Sequence, residues 1–314
     1  MKLKGLTKLA LSGVALAAVA ATLGTSTYAW YVTNATATAS GVQGAANAGG
    51  AGNVLVAQAS TATTSVNGHG AFKQNITMDS SNFGLDGSTT AASTTAGLNP
   101  ATPGTAALAT DAAKDTYANA ITASTQITSA KWLDKDGAEQ GAGNYIKFDI
   151  WLLSTSKTTV NMSYTISNTT AAGNVKKQLA YANTGLPTGV SQGDAFAVDI
   201  VDALKMAVVP TGASLATTVS TGLFDVAGSA SDKSATYGSF VTGGSANDYL
   251  EAVLGEKVIT AGVTGVSQSV IPLTVVANEE AKLTFYVWLE GTDLQCFDSC
   301  GNQTFTIDFT FAGQ

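Results

Sequence analysis

The sequence predicts an all-β protein built from antiparallel strands, with a few short helices and long Gly/Ser/Thr loops. Four runs alternate apolar and polar residues with a period of two, which indicates strands that bury one face and expose the other. The residues between these runs are mostly Ala, Gly, Ser and Thr, and helical periodicity is confined to three short segments. This combination favours an antiparallel β scaffold on which the short helices serve as covers or connections.

The predicted strands fall into a strong and a weak group. The strong runs are NYIKFDIWLL (144–153), TVNMSYTIS (159–167), AKLTFYVWLE (281–290) and QTFTIDFTF (303–311). The weaker runs are 53–58, 127–133, 206–210 and 270–276. Each of the strong runs is long enough to cross a sheet, so we expect these four to form the centre of the fold.

The segments between the predicted strands are predicted to be short helices and loops. The three candidate helices are 110–121, 193–205 and 244–255. Residues 86–110 have little apolar content, which predicts a long, mobile surface insertion. Residues 39–53 are rich in glycine and predict a flexible tether.

The charge balance argues against a nucleic-acid partner. The chain has 22 acidic and 15 basic residues, a net charge of −7, and every basic residue is lysine. Phosphate contacts and guanine recognition depend on Arg and Lys clusters, and an arginine clamp for phosphoryl transfer is impossible in this chain.

The chain also lacks the residue types of common catalytic sites. His69 is the single histidine, so an HExxH zinc site or a His-containing triad cannot be assembled. Asp134, Asp136 and Gly137 resemble a fragment of a calcium loop, but a polar hairpin turn is the favoured interpretation. We therefore expect no catalytic residue, no cofactor and no metal, and a protein that is not an enzyme.

The two cysteines, Cys296 and Cys300, are separated by three residues. In an exported protein such a pair predicts a structural disulfide. The alternative is half of a zinc site, for which the chain has no second ligand pair.

The N-terminus has the pattern of a signal peptide. Lys2, Lys4 and Lys8 precede an apolar stretch at 9–23, which is shorter than the roughly 20 residues of a membrane-spanning helix. Small residues follow, and we predict cleavage between Ala29 and Trp30. An uncleaved anchor helix is the alternative, and a type IV pilin leader would want a Glu that this stretch does not contain. The predicted organisation is a leader at 1–29, a strand and tether at 30–52, and a β domain at 53–314.

The new N-terminus would be an uncharged segment with strand propensity, suited to pairing with an exposed sheet edge. The predicted donor strand consists of Trp30, Tyr31, Val32, Thr33, Asn34, Ala35, Thr36, Ala37 and Thr38. The alternative, which the sequence favours equally, is that this segment pairs within its own domain as the first strand.

Three stretches resemble one family. The leader ending STYAWYVTN, the segment DIVDALKMAVV (199–209) and the C-terminal 282–311 are similar to those of the TasA and camelysin proteins, whose leaders are cut by a SipW-type signal peptidase. In that family, 282–311 would be a closing hairpin and 199–209 a helix running into a strand.

The resemblance implies a jelly-roll-like β-sandwich, secretion to the surface or matrix of a Gram-positive bacterium, and fibres built by N-terminal strand donation. The partner would be the protein itself, with other matrix or surface proteins as further candidates. Membrane contact would be limited to the uncleaved leader. The alternative is a monomeric adhesin or binding module that uses 86–110 as its contact surface.

Overall fold

The computed structural model confirms that the protein is mainly β, with short helices and antiparallel sheets. It describes residues 37–38, 45–48, 54–59, 72–77, 84–86, 97–110, 119–134, 137–156, 158–168, 176–178, 195–197, 200–211, 215–217, 223–225, 266–267, 271–291 and 303–313.

Strands make up most of the described residues, and helices are few and short. In chain order the strands are β1 (Ala37–Thr38), β2 (Ala45–Ala48), β3 (Val54–Ala59), β4 (Asn75–Thr77), β5 (Gly84–Leu85), β6 (Gly97–Leu98), β7 (Thr102–Gly104), β8 (Lys131–Leu133), β9 (Ile146–Ser154), β10 (Thr159–Asn168), β11 (Lys176–Gln178), β12 (Ala195–Ala197), β13 (Leu204–Thr211), β14 (Leu215–Thr217), β15 (Leu223–Asp225), β16 (Val266–Ser267), β17 (Ile271–Val275), β18 (Glu280–Leu289) and β19 (Phe305–Gly313). A 3-10 helix spans Ser124–Ser129, and a single-turn helix, α1, spans Ile200–Ala203.

Within the described residues, these strands form two large sheets and three small strand pairs. Sheet I has the order β15-β13-β18-β9-β3, with β5 also paired to β9. Sheet II has the order β14-β17-β10-β19-β2-β4, with β16 also paired to β10. The described strand pairings are antiparallel except for β19 with β2, which is parallel.

The four strong sequence runs become β9, β10, β18 and β19, and they occupy the middle of the two sheets as expected. In β10 and β19 buried residues alternate with less buried ones, as the period of two predicts. All four weaker runs also contain strands, namely β3, β8, β13 and β17, although β8 covers only the end of its run.

Aromatic side chains join the inner faces of the two sheets. The ring of Phe309 in sheet II lies 4.6 Å from that of Phe285 and 6.0 Å from that of Phe148, both in sheet I. All three side chains are fully buried. Ring contacts at these separations combine a large burial of apolar area with favourable ring geometry, so they bind the sheets into one core.

Sheet I departs from the prediction because its second face is covered as well. Most residues of β9 and β18 are buried on both faces. A cluster on the outer face combines residues of β13 and β18 with residues of the segment 97–134. Its buried members are Ala101, Ile121, Ile127, Trp132, Ala207, Val209, Tyr286 and Trp288. The physical reason is that the second face of β18 carries Tyr286 and Trp288, whose large apolar areas need a cover.

The prediction of a mobile surface insertion at 86–110 is wrong for its second half. Leu98, Ala101 and Thr102 are completely buried, and β7 pairs with β8. Residues 87–96 lie outside the described part. Small side chains at 101–104 let this backbone lie close to sheet I, which composition alone did not reveal. The contact surface of the adhesin interpretation is thus partly inside the protein's own core.

Several smaller predictions need correction. The run 127–133 is a strand only from Lys131, because residues up to Ser129 form the 3-10 helix, where the Gln126 side chain accepts hydrogen bonds from the Thr122 and Ala123 amides at 2.7 and 3.0 Å. Among its described residues, the candidate helix 193–205 is helical only in α1, since β12 precedes α1 and β13 follows it.

The remaining helix predictions are mostly untested. Candidate helix 244–255 and residues 111–118 of helix 110–121 lie outside the described residues. The proposed tether 39–53 contains β2, so it is not wholly a linker.

The segment 282–311 is not a hairpin. Its two strands, β18 and β19, belong to different sheets: β18 pairs with β13 and β9, whereas β19 pairs with β10 and β2. The expected helix running into a strand at 199–209 is present as α1 followed by β13.

Candidate assembly site and buried polar groups

Two short strands near the N-terminus pair within the chain. In β1, Ala37 lies opposite Leu98 and Thr38 lies opposite Gly97. These are the last two residues of the predicted donor strand, and Trp30–Thr36 lie outside the described residues.

The second strand, β2, is inserted next to the last strand of the chain. Ala46, Asn47 and Ala48 lie opposite Phe309, Thr310 and Phe311 in parallel register. On its other side β2 pairs antiparallel with β4. Thus β2, from the N-terminal region, separates β19 from β4.

Sequence reasoning missed β2 because it consists of Ala-Ala-Asn-Ala, residue types with low strand propensity. Its position depends on backbone pairing with β19, whose Phe309 and Phe311 belong to the core.

A buried carboxylate lies on the outer face of sheet I. Glu290 is completely buried and accepts two side-chain hydrogen bonds, a short one from Thr102 Oγ1 and one of 2.8 Å from Trp288 Nε1. The Glu290 amide donates to the Ala203 carbonyl at 2.8 Å, which extends the ladder between β18 and β13. Through Thr102, this carboxylate holds the covering segment to the sheet.

A buried lysine shares that face. Lys205 in β13 is completely buried, and the strand register places it opposite Trp288 on one side and opposite Asp225 in β15 on the other. Sequence analysis overlooked both Lys205 and Glu290. The strand period of two could have indicated their burial. Glu290 follows Tyr286 and Trp288 at steps of two, and Lys205 precedes Ala207 and Val209 at steps of two, so each lies on the same face as those apolar residues.

Four aromatic side chains extend this face. Trp132 stacks on Tyr145 at 4.7 Å and meets Trp288 edge-on at 5.7 Å, while Tyr145 lies 5.4 Å from Tyr286. Burial, with smaller contributions from Tyr145 and Asp149, raises the pKa of Tyr286 to about 12. Burial and the nearby Asp86 charge raise the pKa of Tyr145. Both phenols therefore stay neutral at ordinary pH.

A second buried carboxylate, Asp149 in β9, is satisfied across the sheet. Its oxygens accept a hydrogen bond from Thr284 Oγ1 at 2.7 Å and contact Lys282 Nζ at 3.3 Å. The hydrogen bond and the nearby positive charge offset the cost of burying the Asp149 carboxylate, so its burial needs no catalytic role to explain it.

The turn at 134–138 agrees with the favoured hairpin interpretation. The Asp134 amide donates to the Ala138 carbonyl, and the Ala138 amide donates to Asp134 Oδ1 at 3.0 Å. Gly137 has φ of 73°, the left-handed conformation that such a turn uses.

The other predicted site residues lie outside the described part of the chain. These are Ala29 and Trp30 at the predicted cut, Cys296 and Cys300 of the predicted disulfide, and His69. In the part that is described, no group of three His, Cys, Asp or Glu side chains could hold a metal ion. The helices described there are all too short or too polar to cross a membrane.

Comparison with family models, curated proteins and solved structures finds no match to this chain.

Proposed function

We propose that this protein is a secreted, non-enzymatic structural subunit of an extracellular fibre or matrix, of the TasA and camelysin kind. Subunits would join head to tail when the N-terminal segment of one completes a sheet of the next. The observation that carries the proposal is β2, an N-terminal strand that lies beside the C-terminal strand β19.

The strand connections support a jelly-roll-like sandwich. Along the chain, β9, β13, β15 and β18 lie in sheet I, whereas β10, β14, β17 and β19 lie in sheet II. Among these eight strands, each lies in the opposite sheet from the one before it, and the order β9-β18-β13-β15 in one sheet faces β10-β17-β14 in the other. Alternation of this kind is what a jelly roll requires.

The pairing of β2 supports strand donation. β2 pairs with β19 through its backbone, and a copy from a neighbouring subunit could supply that pairing equally well. If each subunit gives its own segment and receives another, the contact is heterologous and produces open filaments.

Cysteine pairing tests where β2 comes from. In a chain whose native cysteines are replaced by serine, Asn47→Cys and Thr310→Cys are made as separate variants and mixed before assembly. We expect a disulfide between the two chains, since residues 47 and 310 are register partners. A control mixture pairs Asn47→Cys with Thr306→Cys, which lies four residues away on the same strand.

Deletion tests the predicted donor. Removing Trp30–Ala48, which takes away both the predicted donor strand Trp30–Thr38 and β2, should leave folded monomers that no longer form filaments in electron micrographs. Normal filaments from this deletion, together with no interchain disulfide in the mixture, would refute strand donation.

Export has its own test, which does not depend on filaments. Mass measurement of the N-terminus of exported protein should give a chain that begins at Trp30. A chain that retains Met1 would contradict cleavage.

A further inference from the structure

We propose that Tyr145 and Tyr286 form an oxidative crosslinking site, at which a one-electron oxidant couples the two side chains into an intramolecular dityrosine. The crosslink would join the residue that precedes β9 to the neighbouring strand β18. It does not depend on fibre assembly, because both residues belong to one chain and lie on the outer face of sheet I.

The strand register brings the two tyrosines together. Lys147 in β9 lies directly opposite Tyr286 in β18. Tyr145 comes two residues before Lys147, so it lies on the same face of the sheet, diagonal to Tyr286. Diagonal neighbours stay within reach of each other when their side chains are aromatic. The two rings lie 5.4 Å apart, centre to centre, with 48° between their planes, which is a contact distance for aromatic rings.

The backbone on both sides of the contact is fixed. The Asp86 amide donates a hydrogen bond to the Tyr145 carbonyl at 2.9 Å. The Asp86 carboxylate accepts hydrogen bonds from the amides of Gly143 and Asn144, the second at 2.7 Å. Tyr286 is held by the pairing of β18 with β9 and β13. Coupling of the rings therefore requires side-chain rotation and no rearrangement of the backbone.

Tyr145 is the point at which an oxidant reaches the pair. Its side chain is partly exposed, whereas Tyr286 is 6% exposed. The Tyr145 ring also stacks on Trp132 at 4.7 Å, which restrains its position. Because the two phenol rings are in contact, Tyr286 can pass an electron to oxidised Tyr145. The enclosed tyrosine then becomes a radical without meeting the oxidant itself.

The pair is distinct from the third tyrosine whose side chain the structure describes. That residue, Tyr164, is buried in β10 of sheet II, where its ring lies 6.2 Å from the Phe309 ring. Tyr145 and Tyr286 lie on the outer face of sheet I, so this sheet separates them from Tyr164. We therefore expect no coupling between Tyr164 and either member of the pair.

The reaction removes two electrons and two protons. Two equivalents of the one-electron oxidant each take one electron, and each phenol releases its hydroxyl proton to water. The two phenoxyl radicals combine and form a bond between a Cε carbon of Tyr145 and a Cε carbon of Tyr286. Each of these carbons then releases its hydrogen as a proton, and each phenolic oxygen takes up a proton. Both aromatic rings and both hydroxyl groups are restored, and the product has two hydrogen atoms fewer than the starting pair.

Photo-oxidation of the folded exported protein is the primary test. The protein is kept dilute, and a ruthenium tris-bipyridine complex with persulfate supplies the one-electron oxidant under visible light. The monomer is isolated by size exclusion, reduced, alkylated and digested with trypsin, which cuts after Lys135, Lys147 and Lys282. We expect the blue fluorescence of dityrosine and two peptides joined through Tyr145 and Tyr286, two hydrogens lighter than their sum. Reduction is needed because a disulfide also lacks two hydrogens.

Two variants and one control identify the reacting residues. Tyr145→Phe and Tyr286→Phe each keep an aromatic ring but remove one phenol, so each should abolish the joined peptides. Tyr164→Phe removes a phenol outside the pair and should keep the junction. Circular dichroism shows whether each variant is folded.

Wild-type protein unfolded in urea tests whether the fold creates the site. The unfolded chain should lose most of the junction under the same illumination, because no register then holds the two rings together. Equal yields from folded and unfolded chains would overturn the proposal. So would the absence of the junction from folded wild-type protein under conditions that couple free N-acetyltyrosinamide, and this result does not depend on the folding of any variant.

Discussion

The Phe309 ring lies 4.6 Å from the Phe285 ring, and this contact joins the inner faces of the two large sheets. Replacing Phe309 with alanine should therefore weaken the core at the point where both sheets depend on it. We expect the free energy of unfolding to fall by about 3 to 5 kcal/mol, as for other buried Phe to Ala changes. Urea denaturation followed by fluorescence measures the loss.

Thr310 provides the matched control, since it is the next residue of β19 and its side chain is exposed. Thr310→Ala should change stability by no more than about 0.5 kcal/mol. Equal losses from the two changes would contradict the central position of Phe309.

A second prediction concerns the hairpin turn at Gly137. This residue has φ of +73°, and an added Cβ would lie 2.8 Å from Leu108 Cβ. Gly137→Ala should destabilise the protein by about 1 to 3 kcal/mol because it combines left-handed strain with a steric overlap. Thermal unfolding gives the measurement.

Gly141 serves as the comparison for that change. A Cβ at Gly141 would have no neighbour within 4 Å and its backbone is not left-handed. Gly141→Ala should leave the melting temperature unchanged or raise it slightly. If Gly141→Ala lowered the melting temperature as much as Gly137→Ala, the destabilisation would come from replacing any glycine and not from the conformation at Gly137.

The buried carboxylate gives a third prediction. Thr102→Val keeps the shape of the side chain but removes the hydroxyl that donates to Glu290. Leaving a buried hydrogen-bond acceptor without its donor costs about 1 to 3 kcal/mol, so a loss of this size is expected in urea denaturation.

The control for that variant is Thr310→Val, at an exposed position of β19. It should be nearly neutral. If Thr102→Val were equally neutral, the hydrogen bond would not secure the covering segment.

Alkaline pH gives a fourth prediction through Tyr286. An unfolded tyrosine has a pKa near 10, whereas burial raises the pKa of folded Tyr286 to about 12. Between these values the folded protein keeps a proton that the unfolded chain has released, so the free energy of unfolding falls as the pH rises. Below about pH 10 Tyr286 does not change the free energy of unfolding. At about pH 11 the free energy of unfolding is lower by about 1 kcal/mol.

Tyr286→Phe isolates that effect from other titrating groups. Between about pH 9 and 11 its stability should decline less than that of wild type. Parallel curves for the two proteins would mean that Tyr286 does not have the raised pKa.

The central strands could be predicted because their sequences carry a strict period of two. The cover on sheet I could not, since Ala101 and Thr102 lie among Ala, Thr, Pro and Gly residues with no period. Their burial results from the second face of β18, where Tyr286 and Trp288 need apolar contacts. The burial of the covering segment is therefore indicated by the sequence of β18 and not by the sequence of the segment itself.

The polar groups of the outer face were missed for a related reason. Charged residues are ordinarily solvent-exposed. Lys205 ends a predicted helix and Glu290 ends a predicted strand, so neither position indicates burial. Likewise, β2 has a sequence typical of a linker, and only the geometry of β19 reveals it as a strand.

The parallel orientation of β2 and β19 has a mechanical consequence. In the fibre that we propose, a donated β2 would be connected to its own subunit after Ala48 and β19 to its subunit before Phe305, so tension would pull the two strands from opposite ends. The pair is then loaded in shear, and its backbone hydrogen bonds resist together instead of opening one after another. A join of this kind withstands pulling far better than an antiparallel pair peeled from one end.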